Sequence, residues 1–256
     1  TSDTLLSVQS LDLNQQKLTL SDGGSDLEIQ NLLEIDHANE GLITGDADLK
    51  LKQGISISAG EVISTAGTVA IKGASSLSSG TLSVSSGTLA LGGSFEKNGG
   101  TLSFSDSSFT LLDNLSWTSD SLLEIKTLEL DNFSLTLGSA SSDLKIIDPL
   151  ILDHSNEKLI SGEADLKFSG LLNISLGELS SSNGKIQLEQ GVVLSGGKLT
   201  VPNSTLVIGN QFNKTGGSIN LAGTNLQLYS DLSLTSDTLL SIQSLDLNQQ
   251  KLTLSD

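Results

Sequence analysis

The chain has 256 residues, with 30 acidic and 13 basic side chains, a formal net charge of −17 at pH 7 and no cysteine. That charge opposes binding to nucleic acid or to an anionic lipid surface, the lack of Cys excludes a disulfide scaffold or Cys-based zinc site, and no apolar run is long enough to span a membrane. Serine and threonine together make up about a quarter of the chain and Gly counts 26, while aromatics are 3% and Pro only 2, which suits neither an aromatic-cored enzyme nor a Pro-rich disordered linker.

The opening stretch, TSDTLLSVQSLDLNQQKLTLSD (Thr1 to Asp22), returns as Thr235 to Asp256 with one change, Val8 to Ile242. Thr118 opens a more distant copy, TSDSLLEIKTLELDNFSLTLGS, at half that offset. A fixed long period marks a repeat architecture. The expected organisation is one continuous array: residues 1–117 and 118–234 as two halves of a 234-residue unit, and 235–256 as the start of the next, with the polypeptide continuing in both directions. Near-identity between the 234-residue copies is what a segment shows when repeat number sets a length.

Along the chain, apolar residues alternate in short triplets: Leu49-Lys50-Leu51, Val69-Ala70-Ile71, Leu89-Ala90-Leu91, Phe109-Thr110-Leu111 and Leu128-Glu129-Leu130. They continue at Leu144-Lys145-Ile146, Leu166-Lys167-Phe168, Ile186-Gln187-Leu188, Leu206-Val207-Ile208 and Leu226-Gln227-Leu228. The steps between them are nearly constant and shorten only on either side of Leu128. Period-2 alternation reads as strand. Each interval of about 20 residues holds a second run, such as Thr81-Leu82-Ser83-Val84, entered through a Gly corner. The pattern predicts an all-β fold, a single-stranded β-solenoid (parallel β-helix) with six coils per 117-residue repeat. At about 4.8 Å per hydrogen-bonded rung, twelve coils would advance the axis by about 58 Å. Leucine-rich repeats fit less well, because LxxLxLxxN is not sustained. Tandem immunoglobulin-like sandwiches would need an aromatic core and no regular 20-residue sub-period.

Two segments gather polar groups that could do chemistry. LEIDHANEGLITGDADLKL (Leu33 to Leu51) and LILDHSNEKLISGEADLKF (Leu150 to Phe168) contain both histidines. Asp36, Asn39, Glu40, Asp46 and Asp48 in the first, with Asp153, Asn156, Glu157, Glu163 and Asp165 in the second, either form solvated turns or cluster oxygen ligands for Ca²⁺ at a corner. Neither the EF-hand loop nor the calcium-binding nonapeptide repeat is present. His37 and His154 are read as loop hydrogen-bonding groups, because catalysis would also need a nucleophile, a partner and a cleft. No serine lies in GxSxG, and the carboxylates, basic residue and aromatic platforms of a polysaccharide-cleaving groove are not assembled in sequence. No catalytic residue is expected, and no cofactor beyond that candidate calcium ion. Trp117 stands opposite Leu234, and Tyr229 opposite Leu112, across the 117-residue offset, so each aromatic replaces an aliphatic residue and is read as core or edge packing. Thr is too scattered for an ice-binding face. The N-x-S/T sequons at Asn114, Asn132, Asn173, Asn203 and Asn213 are what a Ser/Thr-rich chain contains by chance.

Two stretches, VAIKGASSLSSGTLSV (Val69 to Val84) and LALGGSFEKNGGTLSFS (Leu89 to Ser105), lead a short strand through a Gly/Ser corner into GTLxV or GTLxF. In this the chain resembles the haemagglutinin-type repeats of large secreted bacterial adhesins. The resemblance implies an exported, fibrous protein at the cell surface or outside the cell, with binding activity often residing in other regions. The expected role is a structural one, the stalk or shaft of a giant extracellular fibre or adhesin. Its expected partners are adjacent repeats of the same chain, with lateral self-association or surface glycans as further candidates. The alternatives are a glycan- or calcium-binding adhesive module and, further off, a polysaccharide-degrading β-helix.

Overall fold

The computed structural model describes residues 4–20, 23–104, 106–238 and 240–255. Parts of the near-identical stretches (residues 1–3, Ser21, Asp22, Leu239 and Asp256) and Ser105 of the GTLSFS segment lie outside the described residues. The rest is all-β: a parallel β-solenoid of about 20 residues per coil. None of the described residues forms a helix long and apolar enough to cross a membrane. The chain divides into two compact units, Thr1–Asp120 and Ser121–Asp256.

In the first unit, strands Thr4–Val8, Ser25–Ile29, Leu49–Leu51, Thr68–Leu77, Thr88–Lys97 and Ser108–Ser119 pair in that order, every pair parallel. A second face stacks Lys17–Thr19, Gly41–Gly45, Glu61–Ser64, Thr81–Val84 and Thr101–Ser103 in the same way. Each strand therefore bonds to the strand one coil earlier and one coil later. Leu27 stands opposite Leu49, Leu49 opposite Val69, Val69 opposite Leu89 and Leu89 opposite Phe109. All of these are at most 1% exposed. Alternation sends one set of side chains inward to meet the same set on the next rung. Burying each is worth about 1.5–3 kcal/mol against solvent exposure, most of it gained at the interface between neighbouring coils.

The second unit repeats this plan. Leu144, Leu166, Ile186, Leu206 and Leu226 form the corresponding inward column, each pair parallel. One expectation is corrected here. Leu144-Lys145-Ile146 stacks on Leu123–Ile125, and not on Leu128-Glu129-Leu130, so the short step from Leu128 to Leu144 in the triplet series does not measure a coil.

The corners have their own chemistry. Gly80 adopts φ +70°, and a Cβ there would lie 2.5 Å from the Gly60 carbonyl oxygen, so only glycine fits. The longer strands carry a matched bulge. Opposite Gly92 the neighbouring strand fits in Leu112, Asp113 and Asn114, and opposite Gly209 it fits in Tyr229, Ser230 and Asp231. Such insertions unpair the ladder locally and re-aim side chains.

Candidate functional site

The acidic corners are the strongest functional signal in the sequence, and their geometry is specific. Glu40 is 5% exposed and Glu157 4%, so both side chains are buried against their turns. Glu40 Oε2 accepts the amides of Asp36 at 2.9 Å and His37 at 3.3 Å, closing its own turn. Its Oε1 accepts the Gln15 amide at 3.2 Å, from the preceding coil. In the second unit Glu157 accepts the amides of Asp153 (2.8 Å), His154 (3.1 Å) and Asn132 (3.4 Å).

The residues capped across the coil are ones whose backbone is left-handed. Asn14 and Gln15 have φ of 46° and 63°, and Asp131 and Asn132 have 52° and 70°. Two successive residues in that region cost conformational energy outside glycine, and their amides turn away from the ladder. The buried glutamate answers them. Burial alone would raise the pKa of Glu40, but the amides of Asp36, Gln15 and His37 hold it below the ordinary carboxylate value.

Asp48 and Asp165 have the same kind of task. Asp26 Oδ1 accepts the Asp48 amide at 3.0 Å, and Asp48 Oδ1 accepts the Thr68 amide at 2.7 Å. In the second unit Asp143 accepts from Asp165 at 2.9 Å, and Asp165 from Lys185 at 2.7 Å. These are carboxylate ladders that cap strand starts on successive coils. Asp46 accepts the Thr65 hydroxyl at 2.9 Å. Asn39 is exposed and its amide donates to His37 Nδ1 at 3.3 Å. Asn156 and Glu163 are exposed.

The residues read as one ligand set are thus divided. Asp36 and Glu40 line an open concavity of about 600 Å³ with Asp12 and Glu34, while Asp46 and Asp48 turn to the coil after. Among the described residues, the one group whose ligand atoms approach metal-binding distances is Asp153, His154 and Glu157, within 4.8 Å of one another. It includes a histidine that an oxygen-only ligand set leaves out, and omits Asn156, Glu163 and Asp165. His154 Nδ1 lies 2.8 Å from Asp153 Oδ1 and 3.4 Å from Glu157 Oε1, an arrangement that a hydrogen-bonded imidazole satisfies unaided. A calcium ion at either corner would compete with backbone amides for the buried glutamate.

Two lysines face inward, unforeseen from sequence. Lys97 (9% exposed) and Lys214 (2%) occupy equivalent positions in the two units. Their Nζ atoms lie 2.5 Å from Asp120 and from Asp237 respectively. The signal available in the sequence is the shared 117-residue offset of both partners. No protein-family model matches the chain, and neither does any curated protein or solved structure.

Proposed function

We propose that this chain is a spacer segment, part of the stalk or shaft of a large extracellular fibre or surface adhesin. The observation that carries the reading is the repeat-wide reuse of chemistry within the backbone. The most function-like residues of the sequence, the buried glutamates and laddered aspartates, bond to main-chain amides of a neighbouring coil, once in each unit and at the 117-residue offset. Chemistry of that kind maintains a stack of coils and is copied without loss when the unit is duplicated. The acidic, Cys-free composition accords with an exported, well-solvated surface.

Under this reading, repeat number sets reach. A version carrying one further copy of residues 1–234, imaged beside the original by rotary-shadowing electron microscopy, should be longer by a constant increment at unchanged width. A particle that widens or becomes a second globule instead would refute the spacer.

A further inference from the structure

Lys50, Lys52 and Lys72 occupy one outward face of the first unit. Leu51 and Ile71 are partners in register, so Lys52 and Lys72 follow them on consecutive rungs, and Lys50 lies two residues before Lys52 on the same face. Like charges in such positions repel. One carboxylate responds: Glu28 pairs with Lys52 at 3.0 Å, and it also accepts Gln30 Nε2 at 2.6 Å and Ser7 Oγ at 3.2 Å. Lys50 and Lys72 have no ion-pair partner among the described residues. The three lysines line, with Leu51, Ala70 and the bulge residue Leu112, a groove of about 170 Å³.

The second unit shows the same corner with its charge answered. At the 117-residue offset Lys50 becomes Lys167, Lys72 becomes Glu189 and Leu112 becomes Tyr229. There Lys167 Nζ lies 2.9 Å from Glu189 Oε1, and Gln187 Nε2 donates to the same carboxylate at 3.1 Å. Burial would raise the Glu189 pKa, but the hydrogen bond and charge of Lys167, with hydrogen bonds from Ser169 and Tyr229, together hold it below the ordinary carboxylate value. The second unit thus carries its own carboxylate, where the first carries another amine.

We propose that the Lys50, Lys52 and Lys72 groove binds a carboxylate-bearing sugar unit of an acidic polysaccharide, with the ligand's carboxylate answering Lys50 as Glu189 answers Lys167. The apolar lining accepts the C–H face of one pyranose ring. Lys50 and Lys72, the two lysines without an ion-pair partner, lie diagonally on neighbouring rungs, about 7–8 Å apart, and meet two carboxylates of one extended sugar chain. An extended acidic peptide fits worse, because its Asp or Glu side chains bring carboxylates without a ring face to lay on the apolar lining of Leu51, Ala70 and Leu112. This site is additional to the spacer role and does not depend on it.

The test titrates trigalacturonate into the whole chain at low salt, followed by calorimetry and by the lysine side-chain NMR signals. The proposal expects saturable binding that shifts the signals of Lys50 and Lys72, weakens with added salt and falls about tenfold or more in Lys72→Glu. That variant copies the charge arrangement of the second unit. If it loses β-sheet circular dichroism, Lys72→Gln takes its place with the same expectation. Lys126→Glu, in the other unit, should bind as the parent does. Uncharged trigalactose should not bind, and triglutamate should bind more weakly. Absence of saturable binding, unchanged affinity in the Lys72 variant, an equal loss in Lys126→Glu, or triglutamate binding as tightly would each overturn the proposal.

Discussion

Glu40 accepts the backbone amide of Gln15 across one coil, at 3.2 Å and a separation of 25 residues. The glutamate is buried and the glutamine sits in a left-handed turn, so one ionised side chain holds a strained corner of its neighbour as well as its own turn.

Removing that carboxylate exposes its worth. Glu40→Ala leaves three amide donors without their acceptor and should destabilise the fold by about 2–3 kcal/mol, whereas Glu40→Gln, which keeps one good acceptor, should cost about 1 kcal/mol. Chemical denaturation of both variants measures the difference. The pH dependence follows from the lowered pKa of Glu40. Its contribution is complete above the unfolded value of about 4.3 and disappears as pH falls through the lower folded value. Glu40→Gln should therefore flatten the stability profile on the acid side of about pH 4.3, and a profile identical to the parent's would contradict the capping role.

The inward lysine of the second unit makes a prediction with two signs. Lys214 stands in register with Leu194 and relies on Asp237, whose side chain is 43% exposed. Asp237→Ala leaves a buried ammonium group unanswered and should cost about 2 kcal/mol, less than for a fully buried pair because water reaches the rim. Lys214→Leu extends the apolar column and should be neutral or stabilising. The double variant should recover the stability that Asp237→Ala loses, as thermal melts of the three proteins will show.

Glycines at left-handed corners should separate into two kinds. At Gly80 an added methyl group meets the Gly60 carbonyl oxygen at 2.5 Å, whereas at Gly162, with φ +59°, nothing lies within 4 Å. Gly162→Ala should then cost only the backbone conformational penalty, about 1–2 kcal/mol. Gly80→Ala must also push neighbouring coils apart and should cost clearly more. Equal losses in urea titrations would mean that coil contact at Gly80 is not as described.

Calcium should leave stability unchanged. The oxygens of Glu40 and Glu157 are engaged by backbone amides, and Asp48 and Asp165 cap the next coil. Melting temperatures in millimolar calcium and in chelator should coincide. A rise of several degrees with calcium would restore the corner as a metal site.

Much of the fold is legible in the sequence because the register has little freedom. Triplets such as Leu49 to Leu51 and Val69 to Ile71 bury both outer residues in one pairing, and a slip of one residue would turn them to solvent. Between Ser116 and Ile146 the sequence is ambiguous, since Leu123–Ile125 and Leu128-Glu129-Leu130 are both apolar triplets and alternation alone cannot choose between them. At the corners residue types point to the right loops but not to the direction of the side chains. Asp, Asn and Glu beside His look the same in sequence whether they face water or the backbone. The clue lies in paired separations, since Asn14-Gln15 precedes Glu40 as Asp131-Asn132 precedes Glu157.

The most direct test of the spacer account is diffraction from oriented samples of the protein. Coils stacked by parallel pairing should give a meridional reflection near about 4.8 Å, parallel to the long axis that a shaft would have. The same spacing running across that axis, or particles with no long axis, would contradict a shaft built from stacked coils.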